Sequence, residues 1–454
     1  MSIPKAASTA ALVFRYAPPI RFIPWMICRL SRTISLRQTP DISQIKSSSE
    51  SRYREAIAAY GDEHPGSHDR LNAHARFALT FAHAGSIVGN RTAMHIVKAT
   101  HRFEDWLGRH TMLVKADLRL KHQRMAEAAF PFLRATFYRW VQIWADICPA
   151  LAKAPRVLAV GDLHLENFGT WRDIEGRLVW GVNDFDETAV LPYTIDLVRL
   201  ATSALFAIEG GHLALKGKDA CAAILEGYRE SLAKHGRPFV LEEENEWLRQ
   251  IATGALRDPV HFWKKMDTLP RVTGAIPMSA QEALEHLMPE RGLGYRTVQR
   301  VAGLGSLGHV RVVAIALCHG ARIAREAKAL VPSCVYWATG HEGPSEIMYQ
   351  TIISRAVRSP DPFVQLRGRW IVRRLSPHCC RIELSVLPTS RDELRLLSAM
   401  GWETANIHLG SANAQKHIGR HLNRLKPNWL LNAAKEMAEA VTGDWHSWKK
   451  SQRS

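Results

Sequence analysis

From about residue 52 to 150 the apolar positions recur at helical spacing, as in Phe77-Ala-Leu-Thr-Phe-Ala-His and Met125-Ala-Glu-Ala-Ala-Phe. The pattern then changes. Arg156-Val-Leu-Ala-Val160 and Leu178-Val-Trp-Gly-Val182 read as strands, separated by the polar run GDLHLENFG and a turn at Asp173–Gly176. Together they predict a hairpin-like unit with acidic residues at its ends. The run from Ile195 to Phe206 predicts an amphipathic helix, and further helical spacing extends from about 218 to 256. Glycine-rich GLGSLGHV (303–310) opens a β-branched run from Val310 to Leu317. Strand-like segments follow near 333–338, at Trp370-Ile-Val-Arg-Arg and at Arg381–Leu387, and helical spacing resumes from about 391 to the end. The chain has no internal repeat.

With 46% hydrophobic and 23% charged residues among 454, disorder, collagen and coiled coil are excluded as whole-chain descriptions. Lys and Arg outnumber Asp and Glu by 60 to 43, a net +17 that favours anionic partners without choosing among them. Seven scattered cysteines with no C-x-x-C spacing argue against a disulfide scaffold or structural zinc, and for a reducing cytoplasm. No stretch approaches the ~18 apolar residues of a membrane span. Residues 1–40 contain no acid, and Arg15, Pro18, Pro19 and Arg21 interrupt any signal-peptide core. A basic leader over 1–48, ending near the serine-rich Ser43–Ser51, is the expectation.

The candidate chemistry lies in Gly161-Asp-Leu-His-Leu-Glu-Asn-Phe-Gly169 and Asn183-Asp-Phe-Asp-Glu187. Phosphoryl transfer from a magnesium nucleotide needs a carboxylate beside the acceptor hydroxyl and oxygen ligands for Mg2+. Asp162 suits the first role; Asn167, as an amide ligand, and Asp184, as a carboxylate ligand, suit the second. A hairpin between Asn167 and Asp184 would return both to one end of a sheet. Asp186 competes with Asp184 as a ligand, His164 either joins proton transfer or orients the loop, and Glu166 reads as exposed or supporting. Gly303, Gly305 and Gly308 with Ser306 and Val310 fit a phosphate-covering loop, in which side chains would block the approach of backbone amides. The basic cluster Arg322, Arg325 and Lys328 follows. Arg134, Lys121 and Arg124 are weaker phosphate candidates, and Arg373, Arg374 and Arg381 sit on strand-like segments. The fourteen tryptophans read as core packing, and nothing in the sequence points to nucleic acid beyond charge.

GD-x-H-x-x-N followed by a hydrophobic strand ending in Asp resembles the catalytic and metal loops of aminoglycoside and choline kinases, members of the protein-kinase-like superfamily. By that resemblance Asp162 matches the catalytic aspartate, Asn167 the metal-binding asparagine, Asp184 the metal-loop aspartate, and Asp196 an aspartate that braces the catalytic loop. GDLHLENFG, NDFDET, GLGSLG and WIVRRLSP together resemble the bacterial domain of unknown function 2252. The resemblance implies an α+β, two-lobed kinase-like fold, circularly permuted if the glycine loop keeps its role, because that loop follows the catalytic loop here. Arg325 stands about where the superfamily places its phosphate-binding lysine, with Lys328 as fallback; arginine there, and valine at 160, depart from the pattern.

The expected regions are 1–48 (leader), 49–150 (helical), 151–290 (catalytic and metal loops with helices), 291–390 (glycine-rich β lobe) and 391–454 (helical). The expected activity is ATP- and Mg2+-dependent transfer to a small hydroxyl- or amine-bearing acceptor. Adenylyl transfer to a protein and non-catalytic nucleotide binding are the alternatives.

Overall fold

The computed structural model describes residues 94–252, 258–340, 345–379 and 392–453, all within the unit His83–Ser454. The expected leader, the helical spacing at 77–83 and the strand at 381–387 with Arg381 lie outside these residues. Four helices come first, as the spacing predicts: α1 (Ile96–His110), α2 (Lys115–Glu127), α3 (Ala129–Ala135) and α4 (Phe137–Ile147).

Four strands follow: β1 (Arg156–Ala159), β2 (Phe168–Arg172), β3 (Leu178–Val182) and β4 (Ala189–Pro192). Their pairing corrects the expected hairpin. β1 pairs with β4, Ala159 opposite Ala189, while β2 pairs with β3, Phe168 opposite Val182. A tight turn joins its immediate flanks at the lowest closure cost, so the strand just before the turn is β3's partner, rather than the one before the polar loop. Asp173 fastens that turn by accepting the amides of Glu175 (3.1 Å) and Arg177 (2.9 Å).

Next come α5 (Thr194–Glu209), α6 (Gly217–Ala233), the short β5 (Phe239–Val240) beside β3, α7 (Glu246–Ala252), α8 (Pro259–Asp267) and α9 (Met278–His286). A five-stranded antiparallel sheet then forms from β6 (Tyr295–Val298), β7 (Arg311–Cys318), β8 (Ala321–Ala329), β9 (Gln365–Arg367) and β10 (Trp370–Leu375), in the order β6-β7-β8-β10-β9. Between β8 and β9 stand α10 (Cys334–Thr339) and α11 (Tyr349–Arg355). The apolar run at 333–338 is therefore a helix and not the expected strand. Ser333 caps its start by accepting the Val335 amide, and Gly340 ends it in the left-handed conformation; these end signals outweigh the β-branched and aromatic residues between them. α12 (Glu393–His408), α13 (Ala414–Leu422) and α14 (Trp429–Ser451) complete the described chain.

The result is a mixed helical and antiparallel-sheet architecture. Trp140, Trp180 and Trp448 lie in the largest apolar core, as their composition-level reading suggests. The five-stranded sheet is covered on both faces. Val312, Ala314, Ala327 and Val372 pack with Ala280, Ala283 and Leu284 of α9, whereas Val313, Ile315, Ala324 and Leu375 pack with Met266 of α8. Side chains alternate between faces along a strand, so Arg311, Glu326, Lys328 and Arg373 share the α8 face. Among the described residues no helix is long and apolar enough to cross a membrane.

Candidate active site

The β2–β3 register does the first assembly. Because Phe168 faces Val182, the residues just beyond the paired ends, Asn167 and Asn183, are neighbours, and the Asn183 amide donates to the Asn167 carbonyl at 3.0 Å. Asp184 follows immediately, so the hairpin returns Asn167 and Asp184 to one end of the small sheet.

The loop from Gly161 to Asn167 is held by α5. Asp196, fully buried, accepts the amides of Val160 (2.7 Å) and Gly161 (2.9 Å), and His408 of α12 approaches the same carboxylate at 3.0 Å. The other ring nitrogen of His408 meets the Tyr228 hydroxyl at 2.8 Å. Asp196 thus braces the loop. Gly161 has φ +87°, and a Cβ there would sit 2.4 Å from the Glu187 carbonyl oxygen, so only glycine permits this turn.

Three residues beyond Asp196, on the same side of α5, the fully buried Arg199 donates Nε (2.9 Å) and Nη2 (2.5 Å) to Oδ1 of Asp162. Its guanidinium lies 5.0 Å from each of the Phe137 and Trp140 rings. Among the described residues the Asp162 Oδ2 accepts no hydrogen bond, and it lies against Gly305, whose Cβ, if present, would be 3.2 Å away. Burial pushes the Asp162 carboxyl up to about 7, with Arg199 opposing.

The glycine-rich segment therefore closes over Asp162. Gly303 and Gly308 take φ of +74° and +101°, and the buried Lys121 of α2 donates to the Gly305 carbonyl at 3.1 Å. Ser306 accepts from Arg311 at 3.1 Å.

Lys328 of β8 reaches across to the segment Asp184–Asp186. Its ammonium donates to both carboxylate oxygens of Asp186, at 2.6 and 2.5 Å, and stands 3.7 Å from Asp184. In this crowded pair burial opposes charge on both acids. Lys328, Arg373 and Arg311 hold the Asp184 carboxyl below the usual range, while burial and the Asp184 charge push Asp186 above it. Asp184 keeps 39% of its side chain accessible against 17% for Asp186, so it is the freer acid. Glu187 accepts from the Ser333 hydroxyl (2.9 Å) and the Cys334 amide (2.8 Å).

Asp162, His164, Asn167, Asp184, Asp186, Gly303, Gly305, Ser306 and Lys328 all line one cavity of about 830 Å3. Gly308 lies outside that lining, its backbone carbonyl bonded to the Val114 amide at 2.8 Å and its α-carbon against Leu118. Arg325 lies outside it as well, a correction to its expected role over the phosphates. At odd parity on β8 it points to the α9 face, donating to the carbonyls of Leu287 and Ala324 and stacking 4.7 Å from the Phe363 ring. His164 accepts the Glu166 amide at Nδ1 (3.1 Å) and so caps the short helical turn that presents Asn167. Glu166 is buried and ion-paired with Arg134, rather than exposed. Arg134, Arg124 and Lys121 all line the cavity; Arg374 does not.

Sequence reasoning missed Arg199 and Glu326. The signal for Arg199 was a lone arginine inside the apolar run of α5. Glu326 is fully buried, yet its sequence neighbourhood is basic and gives no hint of that.

No curated protein and no solved structure matches this chain. Residues 113–288, which contain the Asp162 loop and the β2–β3 hairpin and stop short of the glycine-rich segment, are similar to the family described as an uncharacterized protein conserved in bacteria (DUF2252).

Proposed function

We propose that this protein is an ATP- and Mg2+-dependent phosphotransferase with a kinase-like arrangement, acting on a small acceptor with a hydroxyl or amine. The observation that carries the reading is that Asp162, Asn167, Asp184, the glycine-rich segment and Lys328 face one cavity although they span more than a third of the chain. Kinase sites place the glycine loop before a strand and the phosphate-binding lysine on the third strand of their sheet. Here the segment 303–308 lies between the first and second strands of the five-stranded sheet, and Lys328 lies on the third. The sheet follows the catalytic loop in the chain, so the two lobes would be permuted.

The donor set fits a hard divalent ion. Asn167 gives its amide Nδ2 to the Asp162 carbonyl at 2.9 Å, which leaves its Oδ1 as a ligand, and the Asp184 carboxylate stays charged and accessible. Mg2+ held there would neutralise phosphate charge. Asp162 meets the acceptor through Oδ2 and takes its proton, a role favoured by a carboxyl pushed to about 7. Arg199 fixes that carboxylate through Oδ1 alone, and Lys328 attracts the phosphates while Asp186 positions its ammonium.

Replacing Asp184 with alanine should abolish Mg2+-dependent ATP turnover and Mg2+-dependent nucleotide stabilisation in a thermal-shift assay, with the ligand-free melting curve preserved. Turnover equal to wild type would end the proposal. ATP binding without phosphate release in wild type would favour a non-catalytic nucleotide binder, and AMP attached to protein would favour adenylyl transfer.

A further inference from the structure

On the α8 face of the five-stranded sheet, two residues before Lys328, Glu326 is fully buried with three arginines around its carboxylate. Arg311 donates Nη1 to it at 2.8 Å, Arg300 Nη1 at 2.7 Å and Arg373 Nε at 2.8 Å. One negative charge therefore meets three positive ones. A single buried carboxylate is satisfied by one or two guanidinium groups; the surplus two charges are costly in a partly desolvated place unless an anion joins them.

The three arginines are not equivalent. Arg311 is consumed by the fold, since its Nη2 also donates to the Ala302 carbonyl (2.9 Å) and the Ser306 hydroxyl (3.1 Å), fastening the base of the glycine-rich segment. Arg300 and Arg373 keep 30% and 26% of their side chains accessible, both line the cavity, and among the described residues neither guanidinium has a hydrogen-bond or ion-pair partner besides Glu326. Glu326 thus holds two guanidinium forks by one edge and leaves their remaining N–H groups available. Arg300, Arg373, Asp184 and Lys328 all line the same cavity, so the two arginines and the Asp184–Lys328 pair border one space.

We propose that Arg300 and Arg373, organised by Glu326, form a polyphosphate subsite beside Lys328 that grips the nucleotide's phosphate tail. This rests on the phosphotransferase reading for the identity of the ligand, but not for the existence of the subsite. Two forks with two surplus charges match a group carrying at least two negative charges and several oxygens in fixed geometry. A monocarboxylate would leave one charge unanswered.

The probe is inorganic pyrophosphate, titrated calorimetrically into the full chain without divalent metal. Wild type should bind it, R300Q/R373Q should bind it at least tenfold more weakly, and Arg322→Gln, the loss of one arginine charge outside the cavity lining, should leave binding unchanged. Arg373→Lys, which keeps the charge and loses the fork, should fall between and guards against a double variant that fails to fold. Pyrophosphate should also compete with ATP. No binding by wild type, equal weakening by R322Q, or pyrophosphate that binds without displacing ATP would overturn the proposal; the last result would assign the subsite to a phosphorylated acceptor. The two readings separate through Asp184→Ala. That variant should retain metal-free pyrophosphate binding while losing Mg2+-ATP turnover. Pyrophosphate binding in a wild type that never turns over ATP removes the phosphotransferase reading alone, whereas ATP turnover with unchanged KM in R300Q/R373Q removes the subsite alone.

Discussion

Glu403 offers a quantitative test of how tightly the hairpin end is built. It sits on α12, 1% exposed, behind β3. Its Oε1 accepts the Val182 amide at 3.3 Å, two residues before Asp184, and its Oε2 accepts Asn406 Nδ2 at 2.9 Å. Gly181 presses so closely that a Cβ there would lie 2.3 Å from Oε1. Burial raises the carboxyl from 4.5 to about 7, with Arg358 opposing. The folded state then keeps a proton that the unfolded chain releases between these two values. Stability from this group is fully present below pH 4.5, falls as pH rises to about 7, and is flat above; the total loss is about 3 kcal/mol at 1.36 kcal/mol per pKa unit. Glu403→Gln copies the neutral form at every pH. The new amide must turn its NH2 toward one of two donors, Val182 N or Asn406 Nδ2, and Asn406 cannot flip because its Oδ1 already accepts from Ser231 and the Arg237 amide. That conflict costs about 1 kcal/mol. The variant should therefore be about 2 kcal/mol more stable than wild type at pH 8 and about 1 kcal/mol less stable at pH 4.5. Urea unfolding of both proteins at half-unit steps from pH 4.5 to 8 checks this. A difference between them that stays constant across the series would refute the reasoning.

Two further outcomes follow from the site geometry. Lys328→Met should weaken ATP binding by tenfold or more in equilibrium titration, whereas Arg325→Met, removing the cation on the opposite face of β8, should leave it within twofold. Gly161→Ala forces a side chain into left-handed backbone and onto the Glu187 carbonyl, so it should destabilise the fold by about 2–4 kcal/mol, read as a lowered denaturation midpoint; a midpoint equal to wild type would show the loop to be more pliant than its contacts imply.

Much of this site was legible because its parts are local. GDLHLEN, the turn at Asp173–Gly176 and NDFDE occupy one short stretch, and a hairpin was enough to join Asn167 to Asp184. Lys328 against Arg325 was harder. Both suited the chemistry, and the choice depended on strand parity, which requires knowing which face the sheet buries. The segment 333–338 misled because its Val, Tyr and Trp favour strands while its end caps decide otherwise. Glu326 and Arg199 escaped because their meaning comes from partners far away in sequence: Arg300, Arg311 and Arg373 for one, and Asp162 for the other. No period along the chain encodes such encounters.

The contact between His408 and Asp196 has a consequence for synthesis. The loop carrying Asp162 is among the earlier parts of this unit to leave the ribosome, yet the imidazole that steadies its anchor arrives on α12, more than two hundred positions later. A chain still being translated holds the loop without that support, which comes only once α12 has been made. Truncation ahead of α12 should thus leave a protein that carries every proposed reactive group but lacks the imidazole that steadies Asp196.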